Sequence, residues 1–198
     1  RIKNLYRGQR AFLIGNGPSL NRTPLHLLNG EFTMCFNRFD LMFDRLGWRP
    51  TMYMCIDNRV AKNTASKINE IVPLAKFAFF PDIHPRGGDF REFIKDSSNI
   101  FWLSLESVRS PGSYETFPTC STIGTVAHLG LQVLVFMGFS PIYLVGIDLD
   151  YKEHKTVVKD TKADWTATKD DDPSHFDPRY FGAGAKYHEP SPFNVLVS

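Results

Sequence analysis

The sequence predicts an α/β fold: a Rossmann-like parallel sheet with helices on both faces and a C-terminal lid-like segment. Three observations carry that expectation. Short, near-continuous apolar runs recur along the chain, as in strands buried on both faces. Segments with helical spacing or helix punctuation alternate with them. Gly, Asn and Asp gather where the apolar runs stop, the edge at which open parallel sheets bind ligands.

Ala11-Phe-Leu-Ile14 is the first strand and runs into Gly15-Asn-Gly-Pro-Ser-Leu20. Thr23-Pro24 reads as an N-cap with proline at the first helical position, and Asn29-Gly30 as the stop of a short helix over Pro24–Leu28. Phe32–Phe36 is the second strand, and Phe39–Leu46 has helical spacing, stopped by Gly47. Thr51–Ile56 is a strand that ends at Asp57-Asn58, and Val60–Ile71 reads as one helix closed by Pro73. Lys76–Phe80 and Ile100–Leu105 are further strands, with a short helix over Phe90–Lys95 between them. Ser107–Thr119 reads as a loop. Ser121 or Thr122 then opens the longest helix, which runs to Met137 and stops at Gly138; Ile142–Ile147 is the last strand. Residues 1–150 therefore form the nucleotide-binding core, and 151–198 a lid or catalytic appendage of the same domain. The appendage ends without a clear closing element, as if cut from a longer protein.

Composition narrows the function classes. In 198 residues, 23 Lys+Arg against 21 Asp+Glu leave a net charge of +2, which argues against a nucleic-acid-binding surface. The longest apolar stretch, Leu129–Val145, is broken by Gln132, Gly138, Ser140 and Pro141, so nothing approaches a membrane span or points to the membrane periphery. Cys35, Cys55 and Cys120 are too scattered for a disulfide framework or a zinc site. They read as small buried hydrophobes in a reducing, cytoplasmic setting. Seventeen Phe in a 14% aromatic chain leave room for an oligomer interface.

The strand ends supply the candidate site: Gly15-Asn16-Gly17, Asn37-Arg38, Asp57-Asn58, Asp82 with His84, and Asp148 with Asp150. The turn Gly15-Asn16-Gly17-Pro18-Ser19 sits where a nucleotide-binding turn belongs, with glycines that let a phosphate approach backbone N–H groups. It is neither the dinucleotide fingerprint, since Leu20 stands at the third glycine position, nor a P-loop. Thr122, Gly124 and Thr125 open the long helix, where hydroxyls and free N–H groups suit an anion; an ordinary N-cap explains them as well. Asp148 and Asp150 resemble an Asp-x-Asp metal element. No cofactor is required by this reading, though Mg²⁺ at that pair is left open. Ser174-His175-Phe176 and His188 offer histidines suited to proton transfer near neutral pH, although a lone histidine is commonly an ordinary surface residue. The charged stretch Lys152–Lys169 reads as a solvated loop or lid.

Leu13-Ile-Gly-Asn-Gly-Pro-Ser-Leu20, Cys35-Phe-Asn-Arg38, Thr122-Ile-Gly-Thr125 and Gly138-Phe-Ser-Pro-Ile-Tyr-Leu-Val-Gly-Ile-Asp148 together carry a resemblance. It resumes at Pro173-Ser-His-Phe176 and Tyr180-Phe-Gly-Ala-Gly184. The chain resembles the bacterial CMP-sialic-acid-dependent sialyltransferases with a single Rossmann-like domain. It also resembles the wider superfamily that includes motility-associated glycosyltransferases and archaeal 6-hydroxymethylpterin diphosphokinases. The resemblance implies a nucleotide-sugar donor held at Asn16, Gly17, Asn37 and Asn58, with Thr122 and Thr125 close to it, and an unspecified acceptor hydroxyl. It implies His175 as general base in an inverting transfer of a nonulosonic acid from CMP. Tyrosine hydroxyls stabilise the departing phosphate in those enzymes; Tyr151, Tyr180 and Tyr187 are the residues available for that role. Two alternatives stand beside it: pyrophosphate transfer from ATP to a pterin alcohol, and a nucleotide-binding module without activity.

Overall fold

The computed structural model describes residues 2–83, 88–106, 117–121, 125–152, 154–160 and 164–188. Seven strands form one parallel sheet: β1 (Ala11–Ile14), β2 (Phe32–Phe36), β3 (Met52–Met54), β4 (Phe77–Pro81), β5 (Ile100–Glu106), β6 (Thr119–Ser121) and β7 (Ile142–Val145). Their order is β6-β5-β4-β3-β2-β1-β7, a Rossmann-like arrangement. The chain steps outward from β1 to β6, and helix α3 (Val126–Phe136) then returns it to β7 on the far side of β1. Direction therefore reverses between β1 and β7, the position outside whose carboxyl ends open α/β sheets generally bind ligands.

The two-residue period of the strands divides the core into two layers. Ile14, Cys35, Tyr53 and Phe80 face one side, under the short helices α1 (Asn58–Asn63) and α2 (Ala65–Ile71). Leu13, Met34, Phe36, Met52 and Phe79 face the other, against Leu129, Val133, Leu134 and Met137 of α3. Helix and sheet approach closely at Gly130, where a Cβ would lie 2.7 Å from Phe36 Cζ and 2.8 Å from Leu13 Cδ1. Among the described residues no helix is long and apolar enough to cross a membrane.

Several elements differ from the sequence expectation for identifiable reasons. The Val60–Ile71 segment is two helices, because Thr64 leaves helical geometry (φ −118°, ψ 19°) and its hydroxyl donates to the Val60 carbonyl at 2.6 Å. The segments Leu25–Leu28 and Phe39–Arg45 are tighter 3₁₀ turns. Thr119–Ser121 is an edge strand and not the start of the long helix. The buried Gln132 amide supplies that strand with a partner: Ser121 N donates to Oε1 at 2.9 Å and Nε2 donates to the Ser121 carbonyl at 3.0 Å. The appendage also carries structure that composition concealed. Strands β8 (Val157–Lys159), β9 (Asp164–Ala167) and β10 (Lys186–His188) form an antiparallel sheet in the order β10-β9-β8, around Trp165, Ala167 and Tyr187.

At the crevice the turn after β1 packs directly on the turn after β7. A Cβ at Gly15 would press into the Gly146 carbonyl oxygen, and one at Gly17 into the Asp148 carboxylate. Backbone cannot yield as a side chain can, so Gly15→Ala is expected to cost about 2–4 kcal/mol. Gly47 has open space around it, and Gly47→Ala is the matched control, expected within about 0.5 kcal/mol of wild type. Urea unfolding of the two variants checks this, and equal midpoints would refute the close-packing role of Gly15.

Candidate functional site

The glycine turn uses its backbone donors within the chain. Gly15 N donates to the Val145 carbonyl at 2.8 Å and Gly17 N to the Gly146 carbonyl at 2.9 Å. Ser19 N and Oγ donate to Asp148 Oδ2 and Oδ1 at 2.7 and 2.6 Å. Pro18 has no N–H and opens a 3₁₀ turn over Pro18–Arg22. The N–H groups of Gly15, Gly17 and Ser19 are thus taken by β7 and the loop after it. Asp148 likewise holds the turn through both carboxylate oxygens, while Asp150 lies exposed beyond it. Among the described residues no three His, Cys, Asp or Glu gather as a metal cluster.

Asn16, Asn37 and Asn58 stand at the carboxyl ends of the neighbouring strands β1, β2 and β3. Asn16 Nδ2 donates to the Phe36 carbonyl at 3.2 Å, which fixes the amide and leaves Oδ1 buried without a partner. Asn37 takes a left-handed conformation (φ 49°), tolerated by a short polar side chain. Its carbonyl accepts from the Tyr53 hydroxyl at 2.6 Å, and its Oδ1 is also buried without a partner. Arg38 Nη1 donates to the carbonyls of Arg179 and Tyr180 at 2.7 and 2.9 Å. Asn58 opens α1, whose N-cap is Asp57. Thr125 stands at the N-cap position of α3, but its hydroxyl caps nothing and is buried without a partner, as is that of Ser121. Thr122, Gly124 and His84 lie outside the described residues.

His175 meets this edge from above. The Phe176 N–H donates to the Asn16 carbonyl at 2.9 Å, and Asn21 Nδ2 donates to the Phe176 carbonyl at 2.9 Å. His175 is therefore the chain neighbour of the residue bonded to the glycine turn. Its Nδ1 lies 2.8 Å from Asp172 Oδ2, with the two side chains 13% and 3% exposed. Asp172 also accepts from Ser174 N at 2.9 Å and Phe181 N at 3.1 Å. A carboxylate oxygen on Nδ1 assigns the proton there and leaves the Nε2 lone pair free. The ring stacks on Tyr180 (3.7 Å, 2°) and meets Phe181 edge-on (5.3 Å, 89°).

Sequence reading missed Asp172 as the partner of His175. The available signal was an acidic residue three positions before the histidine, with Pro173 between them. Of the three tyrosines considered for phosphate, Tyr180 is a buried wall whose hydroxyl burial pushes well above the usual tyrosine range. The Tyr187 hydroxyl is paired with His154. Tyr151 is partly exposed beside His175, ring edge toward ring at 6.1 Å. His188 lies 3.4 Å from Asp164, which pairs with Arg59 of α1 at 2.8 Å.

Comparison with known proteins agrees with this geometry at the level of fold. The MAf glycosyltransferase from Magnetospirillum magneticum AMB-1 is similar in structure, with a TM-score of 0.55 at 15% identity. The likeness covers 98% of this chain but 29% of that one, so the chain spans less than a third of its structural relative. No match is found among curated proteins. A family model described as "6-hydroxymethylpterin diphosphokinase MptE-like" matches residues 1–154, from before β1 through the turn after β7. The glycine turn, the three asparagine-bearing strand ends and the Asp148 clasp all fall inside that match, and the chain belongs to the MptE-like family.

Proposed function

We propose that the chain is the nucleotide-binding and catalytic part of a glycosyltransferase that moves a sugar from a nucleotide-sugar donor to a hydroxyl. The donor is CMP-linked nonulosonic (sialic) acid, transferred with inversion. The observation that carries this reading is the Asp172–His175 pair docked beside Asn16 at the switch point of the sheet. An oriented histidine with a free Nε2 is the group needed to take a proton from an acceptor hydroxyl. The acceptor oxygen then bonds to the anomeric carbon while the bond from that carbon to the phosphate oxygen breaks, and CMP departs with the electron pair.

The asparagines define what the nucleotide end offers. Asn16 presents a buried acceptor, since its amide nitrogen is fixed on Phe36. An acceptor suits the O–H of a ribose or the N–H of a cytosine amino group and repels a phosphate oxygen. Nucleoside recognition is thus assigned to Asn16 and Asn37, whereas the glycine turn shapes the floor beneath them.

The family match favours a second reading, pyrophosphate transfer from ATP to a pterin alcohol. That chemistry relies on Mg²⁺ bridging phosphates. The engagement of Asp148 by Ser19 disfavours it here.

Thermal unfolding with CMP, CDP, UDP and ATP, each with and without Mg²⁺, separates the two readings. CMP at about a hundredfold excess over Kd is expected to add about 2.7 kcal/mol of stability without metal. A response to ATP with Mg²⁺ alone would overturn the proposal. Asn16→Ala is expected to weaken CMP binding about tenfold, the value of one buried hydrogen bond. Undiminished CMP affinity in that variant would remove Asn16 from the site. His175→Ala is expected to bind CMP normally and to release it from CMP-sialic acid about 10²–10⁴ times more slowly. Turnover at the wild-type rate would show that His175 is not the base.

A further inference from the structure

The buried imidazole of His154 takes no part in the reaction proposed above, yet two routes tie it to His175. The first is polar. His154 Nε2 lies 2.7 Å from Asp171 Oδ1, which also accepts from the Thr156 hydroxyl. Asp171 is the chain neighbour of Asp172, the carboxylate that holds His175. The second route is a run of rings. His154 Nδ1 lies 2.9 Å from the Tyr187 hydroxyl. Tyr187 stacks on Phe181 (4.1 Å, 10°), and Phe181 stands edge-on to His175.

The protonation of these groups is mutually consistent. Hydrogen bonds from Thr156 and then His154 hold the Asp171 carboxyl below the usual carboxylate range, so it accepts the Nε2 proton. Burial pushes the Tyr187 hydroxyl up to about 12, so it keeps its proton and donates to Nδ1. A neutral imidazole with its proton on Nε2 satisfies both contacts. The segment around Asp171 and Asp172 lies between β9 and β10 and has no strand ladder of its own. Beyond the bond from Asp172 N to the Pro178 carbonyl at 3.1 Å, its position is set by side-chain contacts, and a displacement of about 1 Å would break the bond to His175 Nδ1.

We propose that His154 is a positioning residue for His175. It anchors the Asp171–Asp172 peptide on one side and the Tyr187–Phe181 ring pair on the other. Together they keep the proton of His175 on Nδ1 and leave Nε2 open toward the acceptor. The consequence for rate rests on His175 being the base of the transfer; the positioning itself does not.

The test uses the full chain labelled with ¹⁵N-histidine, observed by NMR above about pH 8, where imidazoles are neutral. In that state the nitrogen shifts report which ring atom carries the proton. Wild type and His154→Gln, which retains a donor and an acceptor, are expected to show His175 protonated on Nδ1. His154→Leu, which fills the space and loses both bonds, is expected to move that proton to Nε2 or average the two. Release of CMP from CMP-sialic acid is expected to fall about tenfold or more in kcat, with KM for the donor unchanged. Unaltered His175 signals in a folded His154→Leu protein would overturn the proposal. If His154→Leu does not fold, Asp171→Ala and Tyr187→Phe each remove one contact, and a wild-type His175 tautomer in both overturns it equally. A proton relocated in His154→Leu, with no CMP released even by wild type, supports the positioning and removes the glycosyltransferase reading instead.

Discussion

One backbone hydrogen bond joins the two halves of the site: Phe176 N–H to the Asn16 carbonyl. On one side of it the parallel sheet ends in a turn packed against β7. On the other the irregular segment carrying His175 begins. The bond lies over packed apolar surface, because the Phe176 ring is buried in the core and meets Phe39 at 6.0 Å. A buried amide pair left unmade costs about 1–3 kcal/mol, so the register between the halves is well determined. Residue 175 is thereby fixed relative to residue 16 whatever the remainder of the appendage does. Arg38 adds a second grip, on the carbonyls of Arg179 and Tyr180, and Tyr180 is the surface on which His175 lies.

Most of the sheet was legible in the sequence because its signals are local. Apolar runs such as Ala11–Ile14 and Phe32–Phe36 are strands at the expected places, since a strand buried on both faces leaves no room for polar residues. What was not legible depends on partners distant in the chain. Thr119–Ser121 carries no strong strand pattern and is held as a strand by Gln132, eleven residues on. β9 does alternate, with Trp165 and Ala167 inward, but four residues amid charges are too short a run to separate from a loop. Asn16 and Asn37 were singled out by strand-end position and residue chemistry, and His175 through the resemblance carried by Pro173-Ser-His-Phe176. Asp172 and His154 were not, because their roles lie in which side chains they meet.

The acidic run Asp170-Asp171-Asp172 shows why charge in this appendage misleads. Three consecutive carboxylates look like a solvated loop. Each instead collects donors from a different stretch of chain. Asp170 accepts from Ala183 N, Asp171 from His154 and Thr156, and Asp172 from Ser174 N, Phe181 N and His175. An irregular segment has no ladder to satisfy its N–H groups, and short acidic side chains are efficient substitutes. Charge that would repel in an extended chain is here distributed among donors, and it becomes the framework of the segment.

The glycine turn makes the complementary point for the core. Glycine beside a strand end suggests room for a phosphate, yet the atoms nearest Gly15 and Gly17 belong to Gly146 and Asp148. The diphosphokinase description of the family concerns phosphoryl transfer, which requires charge stabilisation at phosphates. In this chain the described atoms left buried without partners at β1 and β2 include two carbonyl oxygens, Asn16 Oδ1 and Asn37 Oδ1. Acceptors of that kind favour donors on a ligand and disfavour anions. At the switch point the chain thus combines two unsatisfied acceptors with a segment, bonded to Asn16 through Phe176, that carries an oriented histidine.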